Sequence, residues 1–356
     1  MLLKGKTVLV TGGTGSMGRT LVHRLLAGEL GMPRKVIVLS RDEAKQHNMR
    51  MAYLNRVVTT DETIFNNFRN VLEFRIGDVR DYGDVCAGVK GADVVVNAAA
   101  LKQVPTCEYF PMQAVLTNCI GAHNIARAIQ EHRYPVETVV GISTDKACKP
   151  VNVMGMTKSV QERIFIAANV LNPDTRFICV RYGNVLASRG SVIPLFHDQI
   201  RNGGPVTLTA PNMTRFLLSL NQAVDTVFAA LGGAKRGETY IPVAPSATVA
   251  NIAKALIGKR RIKTRVTGVR PGEKMHEIMI SEEEIHHVVR RGAYYAILPM
   301  LPELQATLRR GPRVLRKEYS SSDHVLSPEQ TRTLLRKHRL LVEDSPGAQL
   351  TEELVR

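Results

Sequence analysis

Short apolar runs alternate along the first half of the chain with segments of helical periodicity. Lys6–Val10 is typical of a short buried strand, and a glycine-rich turn follows it directly. Residues 19–30 then place their leucine and valine positions on one helical stripe, and Lys35–Leu39 is a second apolar run. Together these segments predict a βαβ unit.

Four further strand-like runs continue this alternation. They are Leu72–Ile76, Val94–Ala98, Val136–Ile142 and Phe177–Tyr182. Strands that alternate with helices predict a parallel sheet that is covered on both faces. The expected fold class is therefore α/β, a Rossmann-type doubly wound parallel sheet with a smaller C-terminal α/β lobe.

The amino-acid composition of the chain changes after Asn184, where Gly and Pro become frequent. We expect a lobe that lies over the carboxyl ends of the strands, where open α/β sheets bind their ligands. The predicted divisions are a cofactor-binding Rossmann domain over 1–185, to which some later segments return, and a substrate lobe over 186–326. A peripheral helix and a loose tail are predicted over 327–356.

Composition narrows the class of protein. The 356 residues are 44% apolar, which is enough for a large core. Stretches of roughly 18 or more apolar residues are missing, so no membrane span is expected. The N-terminus lacks the order of regions that marks a signal peptide, which favours a cytoplasmic location. The five cysteines are scattered without a CxxC pair, so neither a disulfide framework nor a metal site is expected.

The formal charge of +16 has two interpretations. One is attraction to a polyanion, such as a nucleotide sugar, a nucleic acid or an anionic membrane. The other is a general basic bias of the proteome from which the chain comes. The densest basic run spans residues 259–265 and has no interleaved aromatic residues, and the chain has no Trp. Stacking on nucleic acid is therefore poorly supported, and no nucleic-acid partner is expected.

The glycine-rich turn is a variant of the dinucleotide fingerprint. Gly12, Gly15 and Gly18 have the spacing GxxGxxG, with Ser16 and Met17 between the last two. Glycine allows a tight turn, close approach of a pyrophosphate to the backbone and close packing of the helix on the strand. The pattern follows a strand and opens a helix, which is the context that dinucleotide binding requires. We assign these five residues to a cofactor site.

The end of the second strand bears on the choice of cofactor. A carboxylate there would bind the ribose 2′-hydroxyl of NAD, whereas an arginine suits the 2′-phosphate of NADP. Ser40 and Arg41 favour NADP, with Lys45 also assigned to the cofactor, and Asp42 keeps NAD open as the less favoured alternative. Arg41 could equally be a solvated cation of the loop.

Residues after the third and fourth strands complete the predicted cofactor site. Asp78, with Val79 beside it, is placed to accept a hydrogen bond from the amino group of adenine. Ala98 and Ala100 are small enough for a nicotinamide to lie close, although the alanines also suit simple helix–sheet packing. Lys102 is assigned to a phosphate or to the sugar, with a surface lysine as the alternative.

Many motifs recur in the order found in one known family. They are TGGTGSMG, LSRDEAKQ, GDVRD, AALKQVP, STDKACKPVNVMG, VRYGNVLASRGSVIPLF, MTRF, GVRPGEKMHE and EYSSSDH. On these motifs, which run from about Thr11 to His324, the chain resembles the UDP-N-acetylglucosamine dehydratases of polysaccharide biosynthesis. These enzymes are part of the extended short-chain dehydrogenase/reductase superfamily.

The resemblance implies a Rossmann domain with a small C-terminal lobe that binds a UDP-sugar. It implies 4,6-dehydration of UDP-N-acetylglucosamine with a tightly held NADP. It also implies that the protein is a homo-oligomer.

Thr144, Asp145 and Lys146 follow the strand that is predicted to end at Ile142. In the family the threonine holds the region of the sugar 4-hydroxyl, and the aspartate and lysine serve the elimination. The chemistry needs such a pair, because a base removes the C5 proton and an acid protonates the departing 6-hydroxyl. A bare Thr-Asp-Lys tripeptide elsewhere would more often be a surface turn.

The chain departs from the superfamily at its usual Tyr-x-x-x-Lys motif. Met154 stands in the tyrosine position and Lys158 in the lysine position, on one face of a helix. Lys158 is able to hold the nicotinamide ribose, but a thioether has no proton to exchange. Either Thr144 with water or Lys146 takes the 4-hydroxyl proton, or the protein no longer performs this reaction.

A subset of these dehydratases also has Met-x-x-x-Lys and couples dehydration to C5 epimerisation, on the way to L-sugars such as N-acetyl-L-fucosamine. In that subset a cysteine occupies the place of Cys107. A thiol near the sugar, with its pKa lowered by a nearby cation, would return a proton to C5 from the opposite face. The alternative for Cys107 is a small buried hydrophobic residue.

The resemblance also implies contacts to the sugar, diphosphate and uridine. The residues are Asn184, Arg189, Ser191, Arg215, Arg270, Glu273 and Tyr319. Arginine suits bidentate contacts with phosphate, although each arginine alone would more often form a surface salt bridge. Glu273 is expected to hold the uridine ribose hydroxyls, and Tyr319 to close over the nucleotide.

Three functions remain open from the sequence. The first is a UDP-N-acetylglucosamine 4,6-dehydratase with C5-epimerase activity. The second is a UDP-sugar 4-epimerase, which would not need Asp145 and Lys146. The third is a non-catalytic dinucleotide-binding protein, for which Met154 is the best support and which Asp145, Lys146, Lys158 and Cys107 together argue against.

Overall fold

The structure, a computed structural model, describes residues 1–55, 62–186, 191–305 and 314–344. Within these ranges the chain forms sixteen strands. In chain order they are β1 (Thr7–Thr11), β2 (Lys35–Ser40), β3 (Leu72–Ile76), β4 (Val94–Asn97), β5 (Thr138–Thr144), β6 (Arg176–Tyr182), β7 (Asn184–Val185), β8 (Val206–Leu208), β9 (Thr214–Leu218), β10 (Thr239–Pro242), β11 (Ser246–Thr248), β12 (Thr264–Val266), β13 (Ile278–Ile280), β14 (Val288–Arg291), β15 (Tyr294–Ile297) and β16 (Tyr319–Ser320).

The same ranges contain thirteen α-helices. In chain order they are α1 (Ser16–Leu26), α2 (Glu43–Leu54), α3 (Glu62–Val71), α4 (Tyr82–Val89), α5 (Val104–Tyr109), α6 (Pro111–Ala114), α7 (Gly121–His132), α8 (Val153–Leu171), α9 (Val192–Arg201), α10 (Leu220–Gly233), α11 (Val249–Ile257), α12 (Pro302–Gln305) and α13 (Pro328–Lys337). A π-helical segment, Val115–Ile120, joins α6 to α7. In this part of the chain no helix is long and apolar enough to cross a membrane.

Nine of the described strands form one central sheet. Their order is β3-β2-β1-β4-β5-β6-β10-β15-β14. All pairings from β3 to β10 are parallel, whereas β15 is antiparallel to both of its neighbours. The first six strands have the order of a doubly wound dinucleotide-binding sheet, which confirms the predicted Rossmann-type α/β fold.

Both faces of this sheet are covered. Val8 and Val10 of β1 point into a core that includes α1 and α10, whereas Leu9 points into a second core with α4, α7 and α8. All three side chains are fully buried. A strand that is buried on both faces needs a continuous apolar run, which is the pattern of residues 6–10.

The strand order reverses between β1 and β4, which are neighbours in the sheet although β2 and β3 lie between them in sequence. Thr11 ends β1 and donates its hydroxyl to Asn97 Oδ1, at the end of β4, over 2.7 Å. The carboxyl ends of these two strands therefore form the crevice at which doubly wound sheets bind nucleotides.

A separate core lies under the C-terminal lobe. It joins α9, α11 and α13 with β8 and β9. The helix predicted after residue 327 is α13, and its Leu335 is completely buried against α11. Residues 345–356 of the predicted tail lie outside the described ranges. The basic residues of the run 259–265 are exposed around β12.

Two buried contacts hold the later segments against the Rossmann domain. The guanidinium of Arg181 on β6 is bound by both carboxylate oxygens of Glu162 on α8 and of Glu284, at 2.7–3.0 Å. Asn152, at the start of α8, donates its side-chain amide to the carbonyl of Gly272 over 2.7 Å. The residues around Gly272 are thereby fixed beside the beginning of α8.

Candidate active site

The turn between β1 and α1 uses its glycines in two ways. Gly12 has a φ of 66°, and a Cβ there would lie 2.7 Å from the backbone nitrogen of Ala99. A Cβ on Gly18 would lie 2.6 Å from the carbonyl oxygen of Gly12. The packing of the chain itself therefore requires these two glycines. A Cβ on Gly15 would meet only the Gly12 oxygen at 3.4 Å, so the fold leaves room above Gly15.

That room faces the start of α1. Gly15 is the N-cap residue and provides no side-chain hydrogen bond to the first turn. The first amides of a helix have no acceptor within the helix, so those of Ser16, Met17 and Gly18 are available to an anion. A dinucleotide pyrophosphate requires open space beside a glycine and a helix N-terminus whose amides are not capped. The residues of this turn provide both and therefore fit such a cofactor.

At the end of β2 the one carboxylate is already engaged. Asp42 caps α2 by accepting the amide of Lys45 over 2.9 Å, and it also pairs with the Lys45 ammonium. The side-chain hydrogen bond from Lys45 lowers the pKa of Asp42. Arg41 is exposed beside it, and Ser40 lies 3.0 Å from the hydroxyl of Thr14. The loop thus presents a hydroxyl and two cations.

Asp78, after β3, is bound by its neighbour Arg80. The Arg80 backbone amide and side-chain Nε both donate to its carboxylate, at 3.0 and 2.8 Å. Burial alone would raise the pKa of Asp78, but these hydrogen bonds outweigh it and the pKa is lowered. Val79 is buried so close to α7 that a Cβ on Gly121 would meet its side chain at 2.8 Å.

The small residues after β4 lie beside the glycine turn. Ala98 donates its amide to the carbonyl of Thr11 over 3.1 Å and is half-buried, while Ala100 is exposed. Lys102 is also exposed. Ala98 therefore borders the crevice at the end of β1.

A buried group of charges surrounds Lys146. Its Nζ lies 3.1 Å from Asp145 Oδ1, 3.4 Å from Asn184 Oδ1 and 2.7 Å from Glu277 Oε1. Three acceptors require three donors, which an ammonium has and a neutral amine does not. The Lys146 side chain is 19% exposed, whereas that of Asp145 is completely buried. Of these two side chains, only that of Lys146 reaches solvent.

Asp145 and Thr144 are held at the end of β5, which extends two residues beyond the predicted Ile142. The Thr144 hydroxyl donates to Asp145 Oδ1 over 3.0 Å. Oδ2 of Asp145 is buried and has no hydrogen-bond partner in the described part of the chain. Burial raises the pKa of Asp145, and the nearby carboxylate of Glu277 adds to the effect.

Glu277 is a site residue that the sequence reasoning missed. It lies 2.7 Å from the Lys146 ammonium and 3.8 Å from Nε of Arg215. Burial would raise the pKa of Glu277, but these two cations lower it. The sequence offered one signal for it, an acidic residue directly before the apolar strand β13. A carboxylate in that position is buried with the strand, and a buried carboxylate needs a cation beside it.

Met154 and Cys107 meet in a small apolar cluster with Ala114. Cys107 is completely buried. Burial raises the pKa of its thiol, and Glu108 adds to the effect, so the expected lowering by a cation is wrong for this structure. A thiol with a raised pKa keeps its proton and is a donor rather than a base.

Lys158, one turn after Met154, is buried within α8. Its Nζ donates to Gln161 Oε1 over 2.7 Å, and Gln161 in turn donates to the carbonyl of Ile142. Burial lowers the pKa of Lys158 to about 8.

Three of the predicted substrate residues line one cleft. They are Asn184, Ser191 and Arg215, with Leu186 and Leu217 beside them. Ser191 is the N-cap of α9, and its hydroxyl is buried without a partner among the described residues. Arg189 lies outside the described residues.

Arg215 has few free donors. One terminal nitrogen donates to the carbonyls of Thr214 and Lys274, at 2.7 and 3.0 Å, and the other contacts Met213 Sδ. Arg215 as a whole is only 8% exposed. The arrangement holds Arg215 beside Glu277 rather than leaving it extended into solvent.

Arg270 and Glu273 form one turn at the edge of the lobe. The Arg270 amide donates to Glu273 Oε2 over 3.4 Å, and the Arg270 side chain is exposed. A Cβ on Gly272 would lie 3.1 Å from Asn152 and 3.5 Å from Val104, so this turn borders α5 and α8.

The closing role predicted for Tyr319 is not supported by its surroundings. Its hydroxyl is bonded to the amide and the carbonyl of Ala244, and its ring packs against Phe216 and Tyr295. The residue is 5% exposed. Tyr319 is a core residue here, because its polar tip is satisfied internally and its ring is enclosed.

Comparisons with known proteins agree with this architecture. Residues 8–299 match the model of a family described as polysaccharide biosynthesis protein. A UDP-glucose 4-epimerase of Rickettsia bellii (strain RML369-C) is 43% identical over 297 residues, which are 82% of each chain.

Two solved structures are also similar. Pen from Bacillus thuringiensis is 33% identical with a TM-score of 0.83, covering 96% of this chain and all of that one. DesIV, a dTDP-glucose 4,6-dehydratase of Streptomyces venezuelae solved with NAD bound, is 22% identical with a TM-score of 0.64, covering 76% and 86%. The likeness to DesIV concerns the fold alone.

Proposed function

Because the chain belongs to the polysaccharide biosynthesis protein family, we propose that it is a UDP-N-acetylglucosamine 4,6-dehydratase that also epimerises C5. The observation that carries this proposal is the Lys146 ammonium held between Asp145 and Glu277 at the carboxyl end of β5. A 4-epimerase only removes hydride from C4 and returns it there. It needs a proton acceptor and donor at the 4-hydroxyl alone, whereas an elimination also requires a base at C5 and an acid at the 6-hydroxyl.

A dinucleotide cofactor, whose pyrophosphate the β1–α1 turn would hold, would supply the redox chemistry by accepting hydride from C4 and returning it to C6. The protein side chains handle three protons. The 4-hydroxyl gives up its proton as hydride leaves C4, and the proposed route for that proton is through Thr144 to water. The 4-ketone makes the C5 proton acidic, and the departing 6-hydroxyl must be protonated. Lys146, charged and partly exposed, is the proposed acid for the 6-hydroxyl. Asp145 is the proposed base, since its raised pKa and unpartnered Oδ2 favour uptake of a proton.

Thr144, Lys158 and Met154 have supporting roles in this proposal. Thr144 positions the region of the 4-hydroxyl, and Lys158 holds the nicotinamide ribose when its amide partner Gln161 is displaced. Met154 forms an apolar wall where the superfamily has a tyrosine. Cys107, packed against Met154, gives its thiol proton to C5 from the opposite face, which yields a UDP-4-keto-6-deoxy-L-sugar for a surface polysaccharide.

The proposed cofactor is NADP. Asp42 already serves as a helix cap and pairs with Lys45, so it is less available to a ribose hydroxyl. Arg41 is exposed and Lys45 is half-buried beside Ser40, and a 2′-phosphate would draw these two cations from their partners Asp78 and Asp42. The proposal is tested by comparing dissociation constants for NADP and NAD in wild type and Arg41→Ser. A loss of affinity for NADP alone supports it, and an equal effect on both cofactors, or tighter binding of NAD by wild type, contradicts it.

The proposed substrate contacts are those of the cleft and its edge. Asn184, Ser191 and Arg215 would meet the sugar and diphosphate, with the amides of α9 directed at the phosphates. Arg270 and Glu273 would hold the uridine.

A UDP-sugar 4-epimerase is the second candidate, favoured by the name of the Rickettsia relatives. One incubation separates the two. The protein is mixed with UDP-N-acetylglucosamine in deuterated water and the product is followed by NMR. A 4-keto-6-deoxy sugar with deuterium at C5 supports dehydration, and its coupling constants give the C5 configuration. UDP-N-acetylgalactosamine without deuterium would establish the epimerase instead.

The variant Lys146→Ala completes this test. We expect it to retain bound cofactor and to form no 4-keto-6-deoxy sugar, because the acid for the departing 6-hydroxyl is missing. Full turnover by this variant would remove Lys146 from the mechanism. Absence of any product from wild type, with the cofactor site occupied, would favour a protein that binds without turnover.

A further inference from the structure

Glu277 is held in place by its backbone. Its amide donates to the hydroxyl of Ser321 over 2.9 Å, and its carbonyl accepts the Ser321 amide over 2.8 Å. The Ser321 hydroxyl lies 2.7 Å from that of Thr214 on β9. The position of the Glu277 carboxylate is therefore set by β9 and by the residues around β16, not by the β5 end that carries Lys146.

From this position Glu277 makes the shortest contact of the Lys146 ammonium. Glu277 Oε1 lies 2.7 Å from Nζ, compared with 3.1 Å for Asp145 Oδ1. Glu277 is 1% exposed, and its Oε2 has no partner in the described ranges. A carboxylate buried to this degree costs several kcal/mol unless a cation compensates it, and Lys146 is the nearest cation.

The charges that face Lys146 come from three parts of the chain. Asp145 lies on its own turn, Arg215 lies on β9, and Glu277 and Lys274 both lie in the segment before β13. Lys274 donates to the carbonyl of Cys148 over 2.6 Å, so its ammonium is committed elsewhere. The two carboxylates outweigh the effect of burial, and the pKa of Lys146 is raised.

The backbone of Lys146 is fixed as well. A Cβ on Gly155, in the first turn of α8, would lie 2.2 Å from the Lys146 carbonyl oxygen. With the main chain wedged against α8, the remaining freedom is in the four-carbon side chain. Its direction is decided by the acceptors around Nζ, of which Glu277 is the closest.

We propose that Glu277 is a positioning residue that aims the Lys146 ammonium at the cleft and keeps it charged until it protonates the departing group of the substrate. The proposal rests on the proposed function of Lys146 as the acid of the elimination. It assigns to the second glutamate of the GEKMHE segment a part in the reaction without contact to substrate. It also links the Rossmann domain, which carries Lys146, to the later segment that carries Glu277.

The test uses Glu277→Gln, which keeps the shape of the side chain and removes its charge. The matched control is Glu238→Gln, another completely buried carboxylate, which pairs with Arg291 at 2.9 Å before β10. Both variants are prepared with NADP bound. The first readout is the rate of acylation of Lys146 by acetic anhydride across pH, measured on its peptide by mass spectrometry without any UDP-sugar.

We expect Glu277→Gln to lower the pKa of Lys146 by about one unit or more, because an ammonium loses an adjacent anion. Glu238→Gln should leave it unchanged, and Glu277→Asp should restore part of the shift. An unchanged labelling profile in a folded Glu277→Gln protein overturns the proposal. If Glu277→Gln does not fold, the same comparison with Glu277→Asp decides it, since a shorter side chain must also weaken the contact.

The second readout is the pH dependence of kcat with UDP-N-acetylglucosamine. The alkaline limb should move to lower pH in Glu277→Gln by the same amount as the labelling profile, with little change in KM. A labelling shift combined with a wild type that does not dehydrate the sugar would overturn the proposed function and leave the pairing of Glu277 with Lys146 intact. A shifted labelling profile with an unmoved alkaline limb would overturn the catalytic part of the proposal.

Discussion

Individual ionisable side chains of the site differ in how the fold changes their pKa. Lys146 is bound by oxygen acceptors on several sides and keeps its charge, whereas Lys158 is buried with the neutral acceptor Gln161. Cys107 is enclosed by apolar neighbours, among them Met154. The same physical factor, loss of water, therefore has opposite consequences that depend on the partner each group finds.

The proposed role of Cys107 leads to a prediction on stereochemistry. Cys107→Ser should still dehydrate UDP-N-acetylglucosamine but lose inversion at C5, because the proton donor on that face is weakened. The measurement is the C5 configuration of the product by NMR coupling constants. Cys119→Ser, which replaces another buried cysteine, is the control and should leave the configuration unchanged. Inversion by Cys107→Ser at the wild-type rate would exclude the thiol.

Lys158 gives a prediction on pH-dependent stability. Burial lowers its pKa from 10.5 to about 8 in the folded protein. Between these values the unfolded chain binds more protons, so the free energy of unfolding rises with pH across this window and is constant in this respect below about pH 8. Relative to Lys158→Met, wild type should gain on the order of 2–3 kcal/mol between pH 8 and 10.5.

The measurement is urea unfolding of the cofactor-free proteins over this range. The lost hydrogen bond to Gln161 costs Lys158→Met the same free energy at every pH, so only the slope is diagnostic. A difference between the two proteins that does not vary with pH would show that Lys158 keeps an ordinary pKa.

At this scale the sequence predicted the residues that follow strand ends. Asp145 and Lys146 were assigned from the family resemblance and from their place after an apolar run, and in the structure their charged atoms lie 3.1 Å apart. Glu277 could not be placed in the same way, since its contact with Lys146 spans more than a hundred residues and depends on how the later segment folds back. Tyr319 was misplaced because a sequence does not show that Ala244 satisfies its hydroxyl.

Among the elements, the β1–α1 turn separates folding from ligand binding most clearly. Gly12 and Gly18 are required by contacts of 2.6–2.7 Å within the chain, whereas Gly15 has only one contact at 3.4 Å. Packing within the chain therefore does not require a glycine at position 15. A pyrophosphate bound at the N-terminus of α1 would require one, because it would occupy the space of a side chain.

Two alanine variants test this distinction. Gly18→Ala should lower the free energy of unfolding by about 1–3 kcal/mol, because its Cβ overlaps the backbone of Gly12 and Gly13. Gly15→Ala, with a φ of −76° that alanine readily adopts, should unfold like wild type and yet bind NADP at least about tenfold more weakly. Chemical unfolding and a binding titration give the two values. Normal cofactor affinity in Gly15→Ala would place the pyrophosphate elsewhere.

The periodicity of apolar residues predicted which segments are strands and which are helices, but it did not predict the local irregularities. β5 extends to Thr144 because it keeps pairing with β6 up to Tyr182, which a sequence pattern that stops at Ile142 cannot show. The π-helical segment Val115–Ile120 has no sequence signal that we recognised. It places the Asn118 side chain where it bonds both Leu101 and Thr157, joining the loop after β4 to α8.

For the whole molecule, the site joins segments that are far apart in sequence. Lys146 follows β5 of the Rossmann sheet, whereas Arg215 lies on β9 and Glu277 precedes β13. The sequence predicted a lobe over the strand ends, but the exact seating comes from buried charges such as Arg181 with Glu162 and Glu284. Which charged residues pair in this way depends on the folded geometry and cannot be inferred from the amino-acid composition.

The surface of α8 bears on assembly. Met156 and Val160, four residues apart, are about half exposed, at 49% and 48%. The α5–α6 corner, which packs against α8, adds Tyr109 at 83% and Met112 at 63% exposure. Exposed apolar side chains often mark an interface, and we propose that the homo-oligomer implied by the family resemblance covers these residues with a second copy of the chain.

The double variant Met156→Glu/Val160→Glu tests this surface. Two glutamates on this surface should shift the protein toward monomer. In the assembly each new carboxylate would lose its water and lie near the new carboxylates of the second copy. The measurement is molar mass by light scattering coupled to size-exclusion chromatography. Val266→Glu, which changes a residue 57% exposed on β12 of the lobe, is the control and should keep the wild-type mass. An unchanged mass in the double variant would exclude this face, and a monomeric wild type would exclude the assembly itself. Because α8 also carries Met154 and Lys158, a monomeric variant that loses cofactor would further show that the interface supports the site.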